Sequence, residues 1–446
     1  MKKLIMAMLI IIMVFTVCAC SSRLTPADQD TQNPEESSKP AEVPENTSST
    51  EKPKIDFWYF GDEFTTEHFN NLLTPVKDEV DVKLVLIPNA QYENKLRIAT
   101  NSGNAPDVFM VDGVYTANYA SVGILAPLDD YWPDEDFKDY VQSSQEKCSY
   151  QGQKYAVSQQ ESSCVLFYNK DLFETAGITD IADSIDNAWT YDRLIEAAQQ
   201  LTIRDDSGQT IQYGLQPSMS TPDVNNEGQT FIYTNMIWNL GGEVTDPDVT
   251  TASGYMDSEK TIAAIQLYAD LFNKYNVSSL QTIEQGFQTG KVAMLIHNIS
   301  MIGGLESSFP DLNFGVMPLP KGENQYGTSG GWNYGMSTQC EQPEAGWKVL
   351  DALSGKEGHL IHCQTNGAMP SRLSTIELMP NLVEDNRLKI ASDLIKIARP
   401  RPITPAYFEI SPLISDAFNA AAFGEDPAVV AKTAAEKIDK ILAKYN

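Results

Sequence analysis

Three short apolar runs, each closed by polar turn residues and set apart by helix-length stretches, constrain this chain more than any other feature. Residues 54–60 (KIDFWYF) stop at Gly61 and Asp62, residues 80–87 (VDVKLVLI) follow a helix-like run, and residues 106–111 (PDVFMV) stop at Asp112 and Gly113. Residues 92–101 between the second and third runs have helical patterning. Strands alternating with helices predict βαβ units and a parallel sheet, an α/β class. In open α/β sheets a ligand is met outside the carboxyl ends of the strands. The loops at 61–64 and 112–115 are therefore the first places to expect a binding site.

Residues 54–446, about 390 in all, exceed what one hydrophobic core normally holds, so two lobes are expected. What precedes them reads differently. Lys2 and Lys3 lead into an almost wholly apolar run at 4–17. At about 14 residues it is short of the roughly 20 that span a bilayer and fits a secretory signal. The run ends Val17, Cys18, Ala19, Cys20, then Ser21 and Ser22. This resembles a bacterial lipobox, which implies loss of residues 1–19 and acylation of Cys20. An ordinary cleaved signal and an uncleaved anchor are the other readings. Residues 20–53 carry only Leu24 and Val43 as large aliphatics. They cannot bury enough apolar surface to offset ordering entropy and read as a disordered tether.

Charge narrows the partners. Removing Lys2 and Lys3 from 32 basic residues leaves 30 against 60 acidic ones. That balance repels nucleic acid and anionic lipid, so any membrane contact runs through the lipid anchor. It suits a neutral ligand and also admits a cation. Cys148, Cys164, Cys340 and Cys363 remain in the body. They could pair 148–164 and 340–363 or stay as thiols; without a C-x-x-C spacing, a zinc ribbon or redox motif is excluded.

The folded body carries motifs in a recognisable order: 105–109 (APDVF), 123–131 (GILAPLDDY), 154–157 (KYAV), 165–178 (VLFYNKDLFETAGI), 189–194 (WTYDRL), 287–294 (FQTGKVAM), 314–322 (FGVMPLPKG) and 330–332 (GGW). In this order the chain resembles the family 1 extracellular solute-binding proteins, the group that includes the maltose-binding protein. The resemblance implies a two-lobed periplasmic-binding-protein-like fold of type II with a ligand cleft between the lobes. It assigns 54–160 and 288–328 to the N-terminal lobe, and 161–287 and 329–446 to the C-terminal lobe. The strand after Gly290 then returns to the first lobe, with crossovers near 156–162 and 285–290 and a return near 328–337. The implied protein is the monomeric, lipid-anchored receptor of an ABC importer on the outer face of a Gram-positive cell membrane. It would close on a carbohydrate, an oligosaccharide, and deliver it to the permease, with no cofactor, metal or catalysis. A receptor of the same fold for a polyamine or peptide is the alternative, and a carbohydrate-active enzyme a more distant one.

A sugar cleft needs aromatic faces for the C–H faces of pyranose rings, and carboxylates or amides for the hydroxyls. Asp62 and Glu63 lie on the first strand loop, where Asp62 matches an acidic ligand contact of the maltose-binding protein. Asp112 and Tyr115 lie on the third strand loop. Gln159 and Glu161 sit at the first crossover and Gln216 in the second lobe. Asn298 follows a strand where the maltose-binding protein has stacking tryptophans; their absence here points away from a maltodextrin. Trp332 and Asn333 lie beside Gly330-Gly331, with Trp332 either a stacking platform or hinge packing. Trp238 reads equally as core, Trp58 reads as core, Tyr407 enters a late helix, and Arg372 either bonds a ligand or pins its loop. The acidic residues could be solvated surface. Asp62 and Asp112 could form a glycosidase-like acid pair, but no nucleophile elbow, phosphate loop or dinucleotide fingerprint accompanies them. His359 and His362, at i and i+3, could hold a metal but sit in an amphipathic helix pattern.

Overall fold

The structure, a computed structural model, describes residues 51–224 and 227–445. The signal, Cys20 and nearly all of the tether lie outside the described residues. The alternating runs form a sheet as expected: β1 (Lys54–Phe60), α1 (Glu63–Leu72), β2 (Asp81–Ile87), α2 (Asn89–Asn101) and β3 (Val108–Asp112) succeed one another, and β1 pairs in parallel with β2 and β3. Ile55, Phe57 and Tyr59 alternate into the core, where Phe69 and Tyr334 meet Phe57 edge-on. After α3 (Gln142–Lys147) and β4 (Ala156–Ser158) the chain crosses to a second sheet.

That sheet collects β5 (Cys164–Asn169), β6 (Thr210–Gln216), β7 (Val292–Asn298) and β8 (Phe314–Met317) in the order β8-β5-β7-β6, with Ile203–Arg204 at the edge. The hairpin turn at Asp205 is closed by its carboxylate, which accepts from the Ser207 and Gln209 amides. Between these strands run α4 (Tyr191–Leu201), capped by the Thr190 side chain, α5 (Glu227–Asn239) and α6 (Glu259–Asn273). All six β5 residues are buried. Leu166 and Tyr168 enter one core and Val165 and Phe167 the other, which is why the strand reads as an unbroken apolar run: both faces of the sheet are covered.

The chain then returns. β9 (Trp332–Met336) inserts antiparallel between β3 and β4, giving a first sheet ordered β2-β1-β3-β9-β4. α7 (Pro343–Ser354) packs Val349, Leu350 and Leu353 into the first core, followed by α8 (Lys356–Asn366). α9 (Asn386–Lys396), α10 (Tyr407–Ala422) and α11 (Pro427–Leu442) pack on the second sheet's two faces.

Two expectations are corrected. β7 does not return to the first lobe: Met294 lies opposite Tyr168 and Ile296 opposite Leu166, and β7 runs parallel to β6. Segment 288–328 therefore belongs to the second lobe, and 285–290 is no crossover. The reverse holds for the start of 329–446, since β9 and α7 belong to the first lobe. Apolar alternation identifies a strand but not its hydrogen-bonding partner. Cys148, Cys164, Cys340 and Cys363 are all thiols, three of them buried. Among the described residues no helix is long and apolar enough to cross a membrane.

Candidate ligand cleft at the strand ends

The carboxyl ends of β1 and β3 meet the amino end of β9. Trp332 is the register partner of Asp112, and its ring lies 4.4 Å from that of Phe60 at 60°. Gly331 enables this approach: its φ is +106°, and a Cβ there would stand 2.4 Å from the Gln160 carbonyl oxygen. Asp112 accepts from the Val114 amide at 3.4 Å, capping a short turn. Burial pushes its carboxyl up to about 6; the Arg401 guanidinium pulls it down and Glu227 pushes it up again. On α2, Glu93 accepts the Tyr119 hydroxyl at 2.7 Å through Oε2, while its buried Oε1 has no partner among the described residues. Burial, then Asp112, raises its pKa.

The second lobe faces this group with Glu227, Arg401 and the start of α10. Glu227 accepts from Arg401, from the Tyr407 hydroxyl at 2.5 Å and from Ser411. The Arg401 guanidinium lies 4.7 Å over the Phe231 ring. Tyr115 of the first lobe stacks on Phe408 of the second, with centroids 3.5 Å apart and planes 6° from parallel, and the Asn118 amide donates to the Pro405 carbonyl at 2.7 Å. Arg401 and Gly113 line one small cavity together with Lys147, Gly330 and Gly331.

Several expected contacts are engaged elsewhere. Glu161 has no exposed side-chain surface: it pairs with Lys147 at 2.8 Å and accepts from Ser144 at 2.5 Å and Ser329 at 2.9 Å. It is a pin between crossover strands, not a ligand contact. Arg372, 1% exposed, gives Nε to the Ser354 carbonyl and its terminal nitrogens to Asp136 and Asp139. Of its two readings, the loop pin is the one the structure supports. Tyr407 is fully buried; the exposed ring one position on is Phe408. Trp238 is 2% exposed, under the Arg399 guanidinium at 4.8 Å, so it packs as core. Gln159 is buried in the crossover, where its backbone N–H donates to the Trp332 carbonyl. Asp62 is exposed and spends its carboxylate capping α1, which holds its pKa low; Glu63 beside it is exposed too. Asn298 donates to Ser162, Gln216 to the Ser218 carbonyl, and buried Asn333 to Thr116. Trp332, Asp112 and Tyr115 are the expected residues that come together. Phe60, Glu93, Glu227, Arg401 and Phe408 were not anticipated. Arg401, alternating with prolines in the run Arg399-Pro400-Arg401-Pro402, was the one with a visible signal.

Neither His359 nor His362 is placed to hold a metal. His359 accepts from the Ser371 amide at 3.0 Å, and His362 lies 3.0 Å from His68 and 3.1 Å from Gln160. Among the described residues no group of three or more His, Cys, Asp or Glu is arranged for a metal ion.

Residues 65–359 match the family described as bacterial extracellular solute-binding protein. The chain belongs to this family. A Brucella abortus member named as a binding protein is 26% identical over 378 residues, 82% of this chain and 86% of its own. The diacetylchitobiose binding protein DasA of Streptomyces coelicolor is 24% identical, covering 82% and 84%. Among solved structures, the GacH receptor of Streptomyces glaucescens, studied with acarbose, has a TM-score of 0.72 at 23% identity over 89% of this chain and 100% of its own. UgpB from Mycobacterium tuberculosis, in complex with glycerophosphocholine, has a TM-score of 0.73 at 20% identity over 88% and 99%. At these identities the two structures establish the two-lobed fold of this solute-binding protein and no more.

Proposed function

We propose that this solute-binding protein captures a carbohydrate, an oligosaccharide, at the outer face of the cell membrane and delivers it to the permease of an ABC importer. The observation that carries the reading is the Trp332–Phe60 aromatic edge in register with Asp112, three residues before the Tyr115 ring that stacks on Phe408 of the other lobe. An indole face beside a carboxylate suits the apolar face and hydroxyl rim of a pyranose. The relative named for diacetylchitobiose agrees with it. The ligand's contacts to both lobes would favour the closed state by their difference in free energy.

A sugar panel run by thermal shift and indole fluorescence tests this. An oligosaccharide at 100 times its Kd adds about 2.7 kcal/mol of stability. Trp332→Ala is expected to abolish the fluorescence change and weaken binding about tenfold or more, with the fold intact by circular dichroism. Stabilisation by spermidine or glycerophosphocholine, with no response to any sugar, overturns the carbohydrate reading. Spermidine is the more pertinent rival, because neither Asp112 nor Glu93 has an ion-pair partner among the described residues.

The anchor belongs to the same proposal. Cys20 carries the lipid, residues 1–19 are removed, and residues 20–53 let the body search the wall space. Cys20→Ala is expected to move the protein from the detergent phase to the culture medium; retention in the membrane fraction would count against acylation there.

A further inference from the structure

The sequence contains a single Asn-Gly pair, Asn366-Gly367, and it closes α8. Both residues are exposed. Gly367 has a φ of +62°, the left-handed conformation that ends a helix. A Cβ there would meet nothing within 4 Å, so no neighbour packs the turn in place. Gly177, which ends the helix after β5 in the same conformation, gives its N–H to the Glu174 carbonyl at 3.0 Å. The Gly367 N–H has no acceptor among the described residues. A carboxamide thus stands beside an unbonded, water-exposed backbone nitrogen.

The same carboxamide reaches inward. Asn366 Nδ2 donates to the His362 carbonyl at 3.2 Å and lies 3.0 Å from His68 Nε2 and 3.3 Å from His362 Nδ1. His68 belongs to α1 and His362 to α8, and those two ring nitrogens are 3.0 Å apart. His362 Nε2 continues to Gln160 Oε1 on the crossover, at 3.1 Å. Both imidazoles are buried. Among the described residues no carboxylate or ammonium is hydrogen-bonded to either ring; Asn366 and Gln160 are the side chains that bond to the pair.

We propose that Asn366 is a self-modification site, where the Gly367 nitrogen displaces the side-chain amide and the carboxylate that results recharges the His68–His362 pair. The Gly367 nitrogen attacks Asn366 Cγ and gives up its proton. The Cγ–Nδ2 bond breaks, and ammonia leaves with that proton, giving a cyclic imide. Water then opens the imide at one carbonyl or the other, leaving aspartate or isoaspartate. Nothing is oxidised or reduced. Glycine favours the step because it puts no side chain in the path of attack and moves freely between left- and right-handed φ. An amide nitrogen that only donates to the two rings becomes a carboxylate oxygen that only accepts. Both imidazoles then face an anion, which favours their protonated forms. The site is independent of what the cleft binds.

The test holds the full mature chain for days at mildly alkaline pH, in buffer and in urea, and digests it with trypsin. Cleavage after Lys356 and Arg372 releases residues 357–372, in which Asn366 is the one asparagine. This peptide is expected to gain aspartate and isoaspartate forms in the native chain at a rate within about tenfold of that in urea, since a helix end opens at little cost. Gly367→Ala should suppress both forms, in urea as well, where folding plays no part. No acidic form in the native chain, a native rate further below that in urea, or an unchanged rate in Gly367→Ala overturns the site. The recharging is read from Asn366→Asp in denaturant titrations at pH 7.5 and 5. The native chain loses stability as the pH falls below about 6.5, because its unfolded state binds protons that the buried imidazoles do not. With a carboxylate beside them the folded imidazoles bind protons too, so the variant is expected to lose less. An equal or larger loss overturns the recharging. Should Asn366→Asp not fold, the modified native chain, separated by ion exchange, is titrated in its place and decides by the same comparison.

Discussion

Glu161→Ala is expected to cost about 3–5 kcal/mol of folding stability, the range for breaking a buried ion pair by removing one partner. Lys147 would keep its ammonium buried, with only the Gly330 and Gln160 carbonyls as acceptors. The Ser144 and Ser329 hydroxyls would lose their acceptor as well. These groups come from α3 and from the two crossover segments around residues 161 and 329, so the loss falls on the hinge. Urea denaturation at neutral pH measures it. The effect should change little between low and high salt, because the pair is screened from solvent. Replacing both partners, as Lys147→Met with Glu161→Leu, should recover much of the loss, since an apolar pair of similar volume is often neutral. A single-variant loss below about 1 kcal/mol would show that the pin is not a buried pair in solution.

The second large effect is acid sensitivity carried by the buried histidines. Burial, then the neighbouring His68, pushes His362 down to about 3, and burial holds His359 well below the ordinary range. The unfolded chain takes up these protons near pH 6.5 and the folded chain does not. Stability is therefore intact above pH 6.5 and is lost as the pH falls from there towards 3. One such histidine removes about 1.4 kcal/mol per pH unit, or about 2.7 kcal/mol between pH 6.5 and 4.5. Asp112 acts with the opposite sign: its carboxyl, raised to about 6, binds a proton in the folded state first and so adds stability as the pH falls from 6 towards its ordinary 3.8. The histidine contribution is isolated by comparing the native chain with His362→Asn in denaturant titrations at pH 7.5 and 5. The variant should show the shallower loss. Equal losses would mean that His362 is protonated in the fold.

The sequence held the alternation of β1, β2 and β3 and the unbroken apolar run of β5, because burial on one or two faces leaves a local pattern. Strand ends follow from turn residues, so the loops after β1 and β3 were legible as loops, and Asp112 and Tyr115 were singled out through the second of them, Trp332 through the Gly330-Gly331 pair before it. Partner choice was not. A strand's apolar period is the same whether it pairs with β3 or β5, and so β7 was placed in the wrong lobe while β9 went unrecognised as the strand that brings Trp332 to Asp112. Side-chain fate depends on partners hundreds of positions away. Glu161 looked like a ligand contact by type, yet Lys147 and Ser329 claim it, and only the partners Asp136 and Asp139 decide between the two readings of Arg372 in favour of the loop pin. Arg401 was not singled out from the sequence, and only the tertiary structure shows its Nε buried without an acceptor among the described residues.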